Sequence, residues 1–208
     1  MLLKEKRDES VQKIMDAALE VFSELGYSGA RVDEIARRAG VNKAMIYYRI
    51  GDKHTLYTEV VHRLFSDIAS SIKESIDESA SPEERLKLYI RGLAGTVAAH
   101  PYLPGIMMRE LASGGINLNE FVAGDFAGIL SVPGNILSDG IKKGMFIETS
   151  PMILHMMVVG FMMFFRTTEP LRKRYFSVLP DGLKGMNSKT LEDGMKEIER
   201  LILRAIKA

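Results

Sequence analysis

Apolar residues recur along the chain every three or four positions, the spacing of an amphipathic helix, and no run alternates as a half-buried strand would. From Val11 the positions Ile14, Ala18, Val21, Phe22 and Leu25 describe one stripe, and Gly26 then supplies a left-handed stop. Val32, Ile35, Ala36 and Ala39 repeat the stripe over a shorter helix that ends at Gly40. Asn42, a good N-cap, opens a third helix, with Val41 and Ile46 at the two positions of a hydrophobic staple. After Gly51-Asp52 the pattern predicts a long helix from about Lys53 to Ile76.

Asp77 to Ser81 is a small, polar junction. Ser81-Pro82-Glu83-Glu84 follows as a capping box with proline at the first helical position, and that helix carries Leu86, Tyr89, Ile90, Leu93 and Val97. Further helices are expected around Gly105 to Ala112, from about Asn119 to Lys143 with Pro133-Gly134 as the place for a bend, from Ser150-Pro151 through Arg166, and from Leu191 to Ile206. Leu179 to Lys189, with two glycines and a proline, is expected to be a loop. The predicted fold is all-α, with about nine helices.

Arg31 to Lys53 is the informative stretch. A short helix, a tight turn at Ala39-Gly40-Val41-Asn42 and a second short helix form a helix-turn-helix pattern. Gly40 suits the turn because it tolerates positive φ. With Ile46 and Ile50 turned inward, Lys43, Ala44, Met45, Tyr47, Tyr48 and Arg49 face out, a surface suited to a major groove. The stretch holds six Lys/Arg against three Asp/Glu, whereas the whole chain has a net charge of only +1.

Ile14 to Leu56 resembles the DNA-binding domain of the TetR family of bacterial transcriptional regulators. The resemblance rests on Phe22, Gly26-Tyr27, Val32-x-x-Ile35-Ala36, Ala39-Gly40-Val41, Ile46-Tyr47-Tyr48, Lys53 and Leu56. It implies a three-helix DNA-binding domain over residues 1–56 and a helical effector-binding and dimerisation domain over 57–208. It also implies that Lys43, Ala44, Met45 and Arg49 meet bases, that Tyr47, Tyr48 and Lys53 meet phosphate, and that Arg31 and Asn42 complete the set. The family pattern is broken at three places: Arg31 replaces the usual Thr or Ser cap, Met45 replaces a Thr or Ser, and Arg49-Ile50 replaces His-Phe.

Composition narrows the alternatives. The 208-residue chain has no cysteine, so disulfides, thiolate catalysis and cysteine-based metal sites are excluded. His54, His62, His100 and His155 are scattered without a metal-ligand spacing, and no metal or other cofactor is expected. There is no Gly-rich phosphate loop, nucleophile elbow or close carboxylate pair in an identifiable cleft, so no enzyme is expected. The N-terminal residues do not form a secretory signal, and the run Met152 to Phe165 is short of the ~20 residues a bilayer needs. A cytoplasmic protein with no membrane partner is therefore expected.

Ten of the thirteen methionines lie between Met107 and Met195, and Phe121, Phe126, Phe161, Phe164 and Phe165 accompany them. Most such residues are ordinary core, but together they suit an apolar, adaptable pocket, with Met107, Phe126, His155, Phe161 and Phe165 as the candidate lining. Leu191, Met195, Ile198 and Ile202 follow the narrow spacing of a packing seam. The apolar helix carries two seams, one of Ile153, Met157, Gly160 and Phe164 and one of Leu154, Val158, Phe161 and Phe165. The family's dimer is a bundle of its last two helices, which implies a homodimer through the last helix and the first of these seams. The expected function is a dimeric repressor released from a palindromic double-stranded DNA operator by a hydrophobic or amphipathic effector. A ligand-independent activator or architectural protein of the same fold is the alternative.

Overall fold

The computed structural model describes residues 2–178 and 190–208, with side chains from residue 9 onward. Among them are ten α-helices and one 3-10 turn. The helices are α1 (Leu2–Gly29), α2 (Val32–Ala39), α3 (Lys43–Arg49), α4 (Lys53–Ser75), α5 (Pro82–Ala99), α6 (Leu103–Ala112), α7 (Glu120–Lys142), α8 (Pro151–Thr167), α9 (Glu169–Arg174) and α10 (Leu191–Ile206). The 3-10 turn spans Phe176–Val178. Neither α9 nor this turn was expected, because neither buries a residue and so neither has an apolar stripe. The loop predicted over 179–189 lies outside the described residues.

The predicted punctuation has clear physical counterparts. Gly26 breaks α1 with φ 69° and ψ 176°, a conformation essentially reserved for glycine, and Gly40 ends α2 at φ 65°. The Asn42, Ser81 and Ser150 side chains accept from the backbone N–H groups of Ala44, Glu84 and Ile153 as N-caps. Pro133 lies inside α7 rather than ending it. An 18-residue window of α7 has a mean hydropathy of 1.3, so by length and composition alone this helix, and not the shorter α8, could cross a membrane. Its dispersed glycines hide this by breaking every continuous apolar run.

The chain forms two compact units that do not follow chain order. One comprises residues 1–66 and 102–125, the other 67–101 and 126–208, so α4 and α7 each contribute to both. A cut after residue 56 separates the recognised motif but not these units, since half of α4 and all of α6 cluster with α1–α3.

In the first unit Ile14, Phe22, Ile35, Ile46 and Leu56 are wholly buried. Each such side chain contributes about 1.5–3 kcal/mol. The α6 helix docks on α1 through one face. Arg109 donates to the Ser23 and Glu24 carbonyls at 2.6 Å each, closing the end of α1 that Gly26 leaves open. Gly105 allows the approach, since a Cβ there would stand 3.0 Å from the Ser23 oxygen. Beside it the buried Glu110 accepts from the Tyr57 hydroxyl at 2.5 Å and from Asn117 at 3.0 Å. Tyr57 in turn packs edge-on against Phe22 and Tyr27.

In the second unit α8 meets both α5 and α10. Leu154 and Val158 of α8 are buried with Tyr89, Ile90 and Leu93 of α5 and with Met195 and Ile202 of α10. Phe161 lies on Gly194, where any Cβ would overlap its ring. The Tyr89 hydroxyl and His155 Nδ1 are 2.6 Å apart, and Phe126 meets the imidazole edge-on. Burial holds His155 down to about 4, so it is neutral at pH 7.

Part of the predicted dimer seam is covered within its own unit. Met195 and Ile202 are buried within their own unit, and Leu191 and Ile198 are half-buried. The α10 stripe therefore packs inward. On α8 the two seams separate instead: Leu154 and Val158 are covered, whereas Ile153 (61%), Met157 (49%) and Phe164 (65%) are exposed together with Gly160 and Met156.

Candidate nucleic-acid interface

The α2–α3 pair is set by burial from below and capping from the side. Ile35 and Ile46, both fully buried, anchor the two helices to the core of the first unit. Asn42 Oδ1 accepts from Ala44 N at 2.9 Å, fixing where α3 begins. Asp52 plays the same part for α4, accepting from the Thr55 N–H at 2.8 Å and its hydroxyl at 2.9 Å. Lys53 thus sits in the first turn of α4.

On this frame the predicted residues fall into three groups. Ala44, Tyr47 and Tyr48 are open on α3, with Tyr48 80% exposed. Arg31, Arg49 and Lys53 are cations with no carboxylate in ion-pair range among the described residues. Arg31 precedes α2 in extended conformation and makes no side-chain cap, so the departure from Thr or Ser does cost this helix its cap. The Arg49 guanidinium lies 5.5 Å from the Tyr48 ring centroid, and its Nε is shielded without a hydrogen-bond partner. Lys53 Nζ stands 4.5 Å over the Tyr27 ring, and burial lowers its pKa.

The third group is not fully free. Lys43 Nζ is 2.9 Å from both Asp33 carboxylate oxygens. Met45 is half-buried and lines a groove of about 750 Å³ that it shares with Lys13 and Ala17 of α1, leaving only part of its side chain for a base.

Much of the basic excess counted in the sequence is neutralised locally. Arg38 pairs with Glu24 at 2.7 Å and with Glu34 at 2.8 Å, and Arg37 binds Glu34 at 2.7 Å. These guanidiniums, Arg37 first, hold the Glu34 carboxyl down to about 2. The remaining cations are few and lie at the ends of α2, α3 and α4, around the exposed tyrosines. Such a surface can bind phosphate at its edges and present α3 to base edges.

Residues 14–60 match the family described as bacterial regulatory proteins, tetR family. The fatty acid metabolism regulator protein of Bacillus subtilis is 30% identical over 142 residues, covering 68% of this chain and 73% of that protein. The chain belongs to the TetR family. The HTH-type transcriptional regulator RutR of Escherichia coli is 27% identical over 157 residues, 74% of each chain. Among solved structures, the transcriptional regulator FadR of Bacillus subtilis in complex with stearoyl-CoA aligns with TM-score 0.73 at 23% identity. That alignment covers 93% of this chain and 97% of FadR, so the likeness extends through both units of the fold. This TetR-family protein is accordingly a transcriptional regulator and not an enzyme, and α2–α3 is its helix-turn-helix.

Two features of the site escape a sequence reading. Asp33 pairs with Lys43 ten residues away across the turn, and α6 buttresses α1 from 86 residues away through Arg109. Neither separation carries a helical period.

Proposed function

We propose that the protein is a cytoplasmic homodimeric repressor that binds a palindromic operator and is released by an amphipathic small molecule with a long apolar chain. The observation that carries the DNA-binding part is the exposed face of α3, seated by buried Ile46 and flanked by the unpaired cations Arg31, Arg49 and Lys53. Residues 1–56 would contact DNA, while 57–208 would dimerise and bind effector. Dimerisation is supported by the exposed stripe Ile153, Met156, Met157 and Phe164 on α8. The effector class is supported by the relatives: one is named for fatty acid metabolism, and one solved neighbour holds stearoyl-CoA. The Met- and Phe-rich second unit agrees in character.

The alternative, a ligand-independent DNA-binding protein of this fold, has one observation in its favour. His155 is satisfied by Tyr89, Phe161 packs on Gly194, and Phe165 lies under Arg172 at 4.0 Å, so these candidate ligand residues have internal partners. Met107 lies in the other compact unit.

The test is a titration of the complex formed with an operator recovered from a random DNA pool. Stearoyl-CoA, palmitoyl-CoA and free coenzyme A would be added in turn, and anisotropy of labelled operator recorded. Release by the acylated compounds but not by coenzyme A is expected. Ligand binding that leaves operator affinity unchanged would replace this reading with the alternative, because coupling between two sites must be reciprocal.

A further inference from the structure

We propose that Asp33 is a specificity-determining residue of the DNA interface: its carboxylate holds Lys43 as a base reader and withholds it from general phosphate contact. The inference rests on the DNA-binding function proposed above. Lys43 opens α3, and Asp33 lies in the first turn of α2. Nζ is centred on the carboxylate, 2.9 Å from each oxygen. The Asp33 side chain is 69% exposed, so it faces the solvent that DNA would displace. Its neighbour Glu34 is engaged by Arg37 and Arg38 within the fold, whereas Asp33 reaches across the turn to a residue of the recognition helix.

A bare carboxylate at this place would repel phosphate. Paired, it cancels Lys43, and phosphate alone does little to draw the ammonium away. An ammonium has three N–H donors. With the carboxylate holding it in place, a remaining donor can point at an acceptor on a base edge, such as guanine O6 or N7. Lys43 then adds to binding where that acceptor is present and adds little elsewhere. Arg31 and Lys53 lack such a partner and bind DNA of any sequence through charge.

The experiment compares the full-length protein with Asp33→Asn, Lys43→Ala and the double variant, on recovered operator and on random duplex of equal length, between 50 and 300 mM salt. Asp33→Asn should tighten random DNA more than operator, so their affinity ratio falls several-fold. Its salt slope on random DNA should steepen by about 2, from two freed lysines per dimer at about 0.9 each. In the Lys43→Ala background the same substitution should change the ratio by less than about twofold. A ratio unchanged by Asp33→Asn, or changed equally without Lys43, overturns the proposal. So does a variant that only melts earlier, since Asp33 would then merely serve the positive end of α2. A wild-type protein that enriches no sequence fails the DNA-binding function itself, and this inference with it. A wild type that discriminates while Asp33→Asn discriminates equally fails only the inference.

Discussion

Replacing Met157 by glutamate tests the dimer through the α8 surface. In one protomer Ile153 is 61% exposed, Met156 63%, Met157 49% and Phe164 65%, and nothing stands within 4 Å of a Cβ built on Gly160. A side chain of this kind gains about 1.5–3 kcal/mol on full burial, so covering the open half of each is worth roughly 1–1.5 kcal/mol. Four residues on each of two protomers then supply about 8–12 kcal/mol, which is of the size needed to offset an association cost of about 4–15 kcal/mol. Glutamate at 157 would remove two such contributions and bury two unpaired carboxylates across the two-fold, at several kcal/mol each. The dimer should be lost at micromolar concentration in sedimentation velocity, and operator affinity should fall with it. The monomer should keep its helical circular dichroism, because residue 157 is already half in water. Met195→Glu makes the contrast: that side chain is 4% exposed, so the expected result is a lower melting temperature. If Met157→Glu stays dimeric while Met195→Glu yields folded monomers, the dimer runs through α10 and the argument from exposure is wrong.

Other outcomes follow from single groups. Lys53→Ala should weaken operator and random DNA alike and lower the salt slope by about 2, as measured by anisotropy, the change expected of one phosphate contact per protomer. Arg49→Ala should cost about 1–3 kcal/mol per half-site and relax one position of each half-site on reselection from a random pool; an unchanged motif would make Arg49 a phosphate contact. Buried His155, held near 4 against an ordinary 6.5, stays neutral in the fold while the unfolded chain takes up a proton. Its stabilisation is therefore complete above pH 6.5 and lost as pH falls towards 4, about 2 kcal/mol by pH 5. Thermal melts of His155→Gln should consequently fall less steeply between pH 7 and 5 than those of the wild type, and parallel curves would contradict this.

Local chemistry made much of the fold legible from the chain alone. Gly26, Gly40, Asn42, Ser81-Pro82 and Ser150-Pro151 act within a few residues of themselves, and each does what its type and position lead one to expect. What stayed hidden depends on partners far along the chain. The stripes on α8 and α10 look equivalent in spacing, and only packing decides that Met195 and Ile202 turn inward while Ile153 and Phe164 stay open. The same holds for α6, which joins the first unit because Arg109 finds the carbonyls of Ser23 and Glu24. At the interface, counting Lys and Arg overstated the free charge, since Arg37, Arg38 and Lys43 all meet carboxylates. Residues expected to line a pocket proved hardest to place, because a methionine or phenylalanine on a helix face serves core and ligand equally well.

Two copies of α3 should read DNA together. Selection of full-length protein on a random duplex pool, followed by sequencing, tests it most directly. An inverted repeat should emerge, with half-sites one helical turn apart or slightly more and affinity falling steeply with salt. Enrichment of no sequence, or of a lone half-site bound equally well by the Met157→Glu monomer, would contradict it.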